Sequence, residues 1–262
     1  MSLPIVEMLA AEKTFPGGVQ ALAPVELSVR PGELIGLIGP SGCGKSTLLK
    51  LIANLHTPSA GEMRWWGEDF TRVGEAGRRL SFVFQDPTLM PWADVATNVR
   101  LPLDLDGIPR DEARARVAPA LAQVGLSHAA DRTPAQLSGG MRMRVSIARA
   151  LVTRPDLLLM DEPFAALDEF TRNRLDEDMA LLCAQGGLTT IFVTHSLTEA
   201  AFLSTRVLVM APDPGRIHAE YAIDPTIVRD EAFRLSAEFA AICRDLSALL
   251  NEVSHARAAA DA

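Results

Sequence analysis

The chain has 262 residues, of which 48% are hydrophobic and 22% charged, and its formal net charge at pH 7 is −8. A chain of this length and composition is able to bury a sizeable core, which excludes a globally disordered protein. An acidic protein has no long-range attraction for phosphate backbones, so we expect no nucleic-acid partner.

Cysteine usage and hydropathy restrict where the protein works. Cys43, Cys183 and Cys243 are far apart and lack a metal-site spacing, which is typical of a reducing compartment. The N-terminus has no basic stretch followed by an apolar one, so we expect no signal peptide. No apolar run approaches the roughly 18 to 20 residues that span a bilayer. We therefore expect a cytoplasmic protein that is soluble or is held at a membrane by a partner.

Five short apolar runs predict buried parallel strands, because such strands are covered on both faces. Residues 4–30, which precede them, read as short strands, and FPGG at 15–18 marks a turn. The five runs are LIGLI (34–38), LSFVF (80–84), LLLM (157–160), TTIFV (189–193) and VLVM (207–210). The fold class predicted from this pattern is α/β.

Helical patterns separate the second and third runs. Residues 110–124, ended by Gly125, and residues 139–153 both read as helices. Residues 230–250 predict a last amphipathic helix, and ARAAADA at the end predicts a frayed tail. The predicted organisation is one discontinuous α/β core (1–86 and 155–215), an inserted helical subdomain (87–154) and a C-terminal helical extension (216–262).

The stretch GPSGCGKST fits the phosphate-binding pattern G-x-x-x-x-G-K-[ST], and it lies between a predicted strand and a predicted helix. Its glycines allow backbone N–H groups to turn towards phosphates, and the helix N-terminus favours an anion. Lys45 supplies a positive charge, and the Ser46 hydroxyl is suited to Mg²⁺. The predicted nucleotide-binding residues are Gly39, Pro40, Ser41, Gly42, Cys43, Gly44, Lys45, Ser46 and Thr47. We interpret the Cys43 side chain as a bystander.

Three further predicted strands end in polar residues, and ligands of open parallel sheets bind at that edge. Gln85, the pair Asp161 and Glu162, and His195 follow these strands directly. Asp161 is predicted to hold Mg²⁺ through its water shell. Glu162 is predicted to orient or deprotonate the attacking water. Gln85 is a candidate Mg²⁺ ligand and γ-phosphate sensor.

His195 is the fourth of these strand-end residues. It is predicted to bond the γ-phosphate and to hold Glu162 in place. A histidine bonded to backbone and a carboxylate at a helix N-terminus are the structural alternatives for His195 and Glu162. Ser196 and Glu199 fit an S-x-x-E capping box, and we expect both residues to have that structural role.

The stretch LSGGM (137–141) precedes a predicted helix and offers a second anion site, which few phosphate-loop proteins need. With this motif the chain resembles the ATP-binding-cassette (ABC) ATPases over residues 4 to about 215. In that family two subunits pair head to tail, and the signature of one closes over the ATP of the other. The resemblance implies an ABC ATPase core with an antiparallel β subdomain. The implied signature residues, acting in trans, are Ser138, Gly139 and Gly140.

The same resemblance identifies two further sites. Asp168 belongs to the D-loop ALD (166–168), and Phe15 is the aromatic residue that stacks on adenine. Packing of Phe15 into the β region is the alternative. Met141 stands where many members have Gln, and this leaves the anion site unaffected because Ser and Gly backbone form it.

A narrower resemblance is to the nitrate, sulfonate and taurine importers, carried by residues 84–99, 137–151 and 161–172. That branch places the apolar segment from Leu89 to Trp92 against a membrane subunit. The alternative is ordinary helical-domain core.

The importer resemblance implies an ATPase that uses ATP and Mg²⁺ and energises solute uptake. The implied partners are a second ATP-binding subunit, a membrane permease and, indirectly, a solute-binding protein. The implied location is the inner face of the cell membrane. ABC ATPases of lipid traffic, and soluble ABC ATPases outside transport, share the motifs and remain alternatives. Intact Asp161, Glu162 and His195 disfavour a regulatory module that binds ATP without hydrolysis.

Overall fold

The structure, a computed structural model, describes residues 3–165 and 167–260. Ala166 of the predicted D-loop and the last two residues of the predicted tail lie outside them. The strands are β1 (Val6–Thr14), β2 (Gln20–Val29), β3 (Leu34–Ile38), β4 (Ala60–Trp65), β5 (Leu80–Val83), β6 (Leu157–Asp161), β7 (Thr189–Val193), β8 (Arg206–Ala211) and β9 (Arg216–Ala222). The helices are α1 (Lys45–Ile52), α2 (Val95–Leu105), α3 (Arg110–Gln123), α4 (Gly139–Leu151), α5 (Glu169–Gly186), α6 (Leu197–Leu203), α7 (Glu231–Arg234) and α8 (Ala237–Ala260).

The described strands form two sheets. A three-stranded antiparallel sheet has the order β2-β1-β4, and a six-stranded sheet has the order β5-β6-β7-β3-β8-β9. All neighbours in the larger sheet are parallel except the pair β8 and β9. The strands β5, β6, β7 and β3 are consecutive neighbours, so their carboxyl ends lie side by side at one edge of the sheet.

The two faces of the larger sheet are covered by separate apolar clusters. Leu34 and Ile38 of β3 pack into the cluster that contains the helical region, whereas Ile35 and Leu37 pack into the cluster shared with α1 and the smaller sheet. The alternation follows from the two-residue period of a strand. Every residue of β3, β6 and β7 is buried, which accounts for their continuous apolar sequences.

The helices α2, α3 and α4 lie between β5 and β6 in the chain, where the sequence predicts helical structure. They pack on one another through buried side chains that include Val99, Val117 and Ile147. Asp94 caps α2 and Ser138 caps α4, each accepting a hydrogen bond from a backbone N–H three residues on. The domain boundaries themselves stay a prediction.

The predicted helical extension 216–262 is wrong at its start, because residues 216–222 form β9. This edge strand alternates exposed and half-buried residues, so it has no continuous apolar run to identify it. The predicted helix 230–250 is two helices: α7 ends at Arg234, and Ser236 accepts a hydrogen bond from the Phe239 N–H at the start of α8. α8 continues to Ala260, into the predicted tail.

None of the helices within residues 3–165 and 167–260 has the length and apolar character needed to cross a bilayer.

Candidate active site

The phosphate loop joins β3 to α1 and depends on glycine where the backbone is crowded. Gly44 has φ +93°, and a Cβ there would lie 2.7 Å from Leu22 Cδ2 and 2.9 Å from the Ala21 carbonyl oxygen. A Cβ at Gly39 would lie 2.5 Å from the carbonyl oxygen of Met210. Because both positions exclude side chains, the loop presents backbone N–H groups at the N-terminus of α1.

Lys45 is 5% exposed and its ammonium group donates to two carbonyl oxygens of its own loop. The distances from Nζ are 2.8 Å to Gly39 O and 3.0 Å to Pro40 O. The Cys43 thiol is buried and lies 3.8 Å from Nζ. Burial raises the pKa of this thiol, although Lys45 opposes the shift, so the side chain is a neutral packing group as expected.

Ser46 and Asp161 bring two hard oxygen donors together. The Ser46 hydroxyl donates to Asp161 Oδ1 at 3.0 Å. Burial raises the pKa of Asp161, and the hydrogen bond from Ser46 partly offsets the shift. A buried carboxylate with this neighbour fits a small divalent cation. No group of three or more His, Cys, Asp and Glu side chains suited to a metal occurs among the described residues. Such a cation would therefore need further oxygen atoms from a bound molecule, such as a polyphosphate.

Glu162 is held from two sides. His195 Nε2 lies 2.6 Å from Glu162 Oε1, and Gln85 Nε2 donates to Glu162 Oε2 at 3.0 Å. These residues follow β7, β5 and β6, so the strand order brings them together as the sequence predicts. Glu162 also has φ +49°, a left-handed conformation that non-glycine residues rarely adopt. The carboxylate is thus fixed by both its backbone and its partners.

A cavity of about 240 Å³ joins these groups. It is lined by Ala21, Glu162, His195 and residues of the loop: Ser41, Gly42, Gly44, Lys45, Ser46 and Thr47. Ala21 has no sequence signal, since it enters the cavity from β2. The cavity has the phosphate-binding loop on one side and a positioned carboxylate on the other. This arrangement is able to hold a polyphosphate and direct a water molecule towards it.

Gln85 and Asp161 contact residues of this wall without lining the cavity, and three further predicted sites lie outside it. The ring of Phe15 contacts His56 edge-on at 5.4 Å between centroids, with Lys13 Nζ 5.3 Å from its centroid. Ser138 caps α4 and accepts from the Met141 N–H at 3.2 Å, with Gly139 and Gly140 opening that helix. Asp168 caps α5 and accepts from the Thr171 N–H at 2.9 Å. That hydrogen bond lowers the pKa of Asp168.

Sequence reasoning missed a second cavity, of about 310 Å³, beside Glu162 and His195. Arg172, Thr194 and Glu199 line it. The predicted capping box is only half present: the Ser196 hydroxyl accepts from the Glu199 N–H at 3.2 Å, but Ser196 N–H donates to Thr194 Oγ1. The Glu199 carboxylate instead binds the Thr194 hydroxyl and pairs with Arg172, a tertiary contact without a local sequence pattern.

Comparison with known proteins identifies the family. The model of the ABC transporter family matches residues 22–165. The chain is 47% identical over 204 residues to the taurine import ATP-binding protein TauB of Chromobacterium violaceum, covering 78% of this chain and 77% of that protein. It is 44% identical over 222 residues to the aliphatic sulfonates import ATP-binding protein SsuB 1 of Xanthomonas axonopodis pv. citri, covering 84% and 86%.

Other similar proteins are much longer. The bicarbonate transport ATP-binding protein CmpC of Synechococcus elongatus is 47% identical over 210 residues, which is 78% of this chain but 31% of CmpC. The chain therefore spans about a third of the length of this relative.

A solved structure agrees in fold. It is a dimeric ATP-binding cassette in a post-hydrolysis state with ADP and Pi, with a TM-score of 0.75 and 31% identity. The alignment covers 83% of this chain and 98% of that cassette. The phosphate loop, the strand order and these matches agree: the chain has the fold of an ABC ATPase and belongs to the ABC transporter family.

Proposed function

We propose that the chain is the ATP-hydrolysing subunit of an ABC importer, which energises uptake of a small solute through a partner permease. The observation that carries the proposal is the fixed Glu162 carboxylate, held by His195 and Gln85 at the cavity formed by the phosphate loop. Three relatives that align over most of this chain are described as import or transport ATP-binding proteins.

In the proposed reaction the loop N–H groups and Lys45 bind the β- and γ-phosphates. The ammonium group of Lys45 donates to two carbonyl oxygens of the loop. We expect it to donate to phosphate oxygens instead when ATP is bound. Ser46 and Asp161 would hold Mg²⁺, Asp161 through a water molecule, and Gln85 would be a further ligand. When bound, Mg²⁺ neutralises negative charge on the phosphates.

Glu162 orients and deprotonates the attacking water in this scheme. Its two contacts restrict the carboxylate, and catalysis by positioning depends on such restriction. His195 holds Glu162 and donates to the γ-phosphate in the ATP-bound state. Phe15 stacks on the adenine of that nucleotide after moving from its contact with His56.

A second copy of the chain completes the site. Ser138, Gly139 and Gly140 do not line the cavity, which supports their action in trans on the ATP of a partner subunit. The dimeric state of a 31% identical cassette supports the same arrangement. Asp168 lies at the start of α5, adjoining the loop that carries Glu162.

We further propose that the chain binds a membrane permease from the cytoplasmic side of the membrane. A solute-binding protein would be an indirect partner. Trp92 is 80% exposed, whereas Leu89 packs against the helical core. An indole this exposed is suited to a protein interface. The relatives are described for taurine, aliphatic sulfonates and bicarbonate, and a small solute that carries an anionic group is the class proposed here.

Glu162→Gln tests the hydrolysis proposal. The amide keeps the side-chain shape but cannot accept the proton, so we expect kcat for phosphate release to fall about a hundredfold or more. ATP binding measured by calorimetry should stay within about twofold of wild type, and ATP should stabilise a dimer in sedimentation velocity. Glu169→Gln, which changes an exposed carboxylate of the same segment, is the control. Equal phosphate release by the wild type and Glu162→Gln would contradict the proposal.

Co-purification tests the transport proposal. Tagged protein is recovered from detergent-solubilised native membranes, and its partners are identified by mass spectrometry. We expect a multi-helix permease in the eluate of the wild-type protein and less of that permease in the eluate of Trp92→Ala. ATPase activity confined to the soluble fraction, with no membrane partner, would favour a soluble ABC ATPase instead.

A further inference from the structure

Four charged side chains from three helices form two ion pairs that the proposed hydrolysis does not use. We call them the α5–α7 charge cluster: Arg172 and Asp176 of α5, Glu199 of α6 and Arg234 of α7. Arg172 Nε lies 3.2 Å from Glu199 Oε1, and Arg234 Nη2 donates to Asp176 Oδ2 at 3.0 Å. The two pairs are one helical turn apart, because positions 172 and 176 lie on the same face of α5.

The ion pair between Arg172 and Glu199 connects two segments that line one cavity with Glu162, namely the start of α5 and the segment around His195. Arg172 Nη2 donates to the carbonyl oxygen of Leu167 at 2.9 Å, immediately before Asp168. The Glu199 carboxylate accepts from the Thr194 hydroxyl, which precedes His195. One ion pair therefore connects the segment that begins α5 to the segment that carries His195.

Arg234 brings the C-terminal segment to this cluster. Its guanidinium carbon lies 3.6 Å from the centroid of the Phe202 ring of α6, and Nη2 also donates to the Asn173 carbonyl oxygen at 3.2 Å. α7 is thus bound to α5 by charge and to α6 by a cation–π contact. The relative position of α5 and α6 depends on this arginine.

Two carboxylates of the cluster are almost completely buried, and burial disfavours their charged forms. Asp176 is 1% exposed and Glu199 is 4% exposed. Burial raises the pKa of Asp176 to about 7 and also raises the pKa of Glu199, although the neighbouring arginines oppose both shifts. Buried ion pairs of this kind contribute little net stability compared with apolar packing. In this cluster the ion pairs determine relative position, because one holds α5 against α6 and the other holds α5 against α7.

We propose that Arg172 and Glu199 are positioning residues for ATP hydrolysis and that Arg234 holds them in place, so the C-terminal segment influences the catalytic step without contacting nucleotide. This inference rests on the proposed ATPase function. Loss of either pair lets the His195 loop move relative to Glu162, which weakens the contact that orients the carboxylate. Nucleotide affinity changes little, because the phosphate loop, which binds the β- and γ-phosphates in the proposed function, is not part of the cluster.

The test uses the full chain with the substitutions Arg172→Gln, Glu199→Gln, their combination, and Arg234→Gln. We expect kcat to fall about tenfold in each of the first two variants, while the ATP dissociation constant changes less than about twofold. The double variant should lose no more than either single one, because both remove the same contact. Arg234→Gln should lower kcat by about three- to fivefold.

A second readout does not depend on turnover. Amide hydrogen exchange of residues 194–199 should be faster than wild type in Arg172→Gln and in Arg234→Gln, and Arg172→Lys should restore part of both the exchange protection and kcat. If the wild type has no ATPase activity but the exchange changes as expected, the proposed function fails and the coupling stands.

The matched control is Arg206→Gln. Arg206 is similarly half-buried, donates to the Ser28 carbonyl oxygen at 2.7 Å and lies 3.5 Å from Glu33, but it is in register with Ile35 at the amino end of β3. It should leave kcat and exchange at 194–199 unchanged. The proposal is overturned if Arg172→Gln and Arg234→Gln match this control, if the two single losses are additive, or if ATP affinity falls in parallel with kcat.

Discussion

The N-termini of α1 and α4 are the two anion-binding ends proposed for the chain, and they differ in how complete they are. The α1 end is crowded, with Gly44 pressed against Leu22 and with buried Lys45 beside it. The α4 end does not line the phosphate-loop cavity, and its Ser138 hydroxyl is occupied as a helix cap. A complete site binds its ligand within one chain, whereas the α4 end is suited to close on a ligand already bound elsewhere.

The largest expected effect is at the complete end. Gly44→Ala introduces a Cβ at φ +93° into contact with Leu22 and the Ala21 carbonyl oxygen. Overpacking of this kind should lower ATP affinity by roughly ten- to a hundredfold, measured by calorimetry. Gly32→Ala is the matched control, because its φ of +80° is also left-handed but its Cβ would have no neighbour within 4 Å.

Gly32→Ala should lower the thermal stability slightly through backbone strain of about 1 kcal/mol, with no change in ATP affinity. If both variants bind ATP like wild type, close packing is not what makes the α1 end complete.

A smaller and different effect is expected at the α4 end. Ser138→Ala should lower the free energy of unfolding by about 1 kcal/mol, because the Met141 N–H loses its acceptor. ATP affinity of the monomer should stay unchanged, while ATP-dependent dimerisation and kcat fall by about tenfold. Sedimentation velocity and phosphate release measure the two quantities.

Asp94→Ala, which removes the cap of α2 in the same region, separates the two consequences of the Ser138 change. Asp94 accepts from the Thr97 N–H at 2.7 Å, so its loss should lower stability to a similar extent and leave dimerisation intact. Equal losses of dimerisation in both variants would mean that Ser138 acts only as a cap.

The smallest effect is expected for Phe15, at the margin of the complete end. Phe15→Ala should weaken ATP binding by about two- to tenfold if the ring stacks on adenine. Binding of inorganic triphosphate should not change, because that ligand has no base. An equal loss for both ligands would favour the packing role that the contact with His56 indicates.

The sequence predicts the strands best where both faces are buried. The five apolar runs match β3, β5, β6, β7 and β8 to within about one residue at each end, because continuous burial requires continuous apolar sequence. The edge strand β9 escapes prediction since its exposed and half-buried residues alternate. The break between α7 and α8 escapes for a related reason: a single serine cap is a weak signal within an amphipathic pattern.

The candidate site follows the same rule. Asp161, Glu162, Gln85 and His195 are predictable because each is the first or second residue after a predicted strand, so topology alone brings them together. The contacts of Arg172 with Glu199 and of Arg234 with Asp176 join residues 27 and 58 positions apart on different helices. Such pairs are set by how helices pack, and no local pattern in the sequence encodes them.

The left-handed backbone of Glu162 has a consequence for protein engineering. A residue with a Cβ in this conformation costs about 1–3 kcal/mol of folding free energy, and glycine would relieve most of that burden. A search for thermostable variants guided only by melting temperature should therefore favour replacing the carboxylate that is proposed to orient the attacking water. At this position folding stability and the proposed ATPase activity favour different residues, and the chain has the residue that is less favourable for stability.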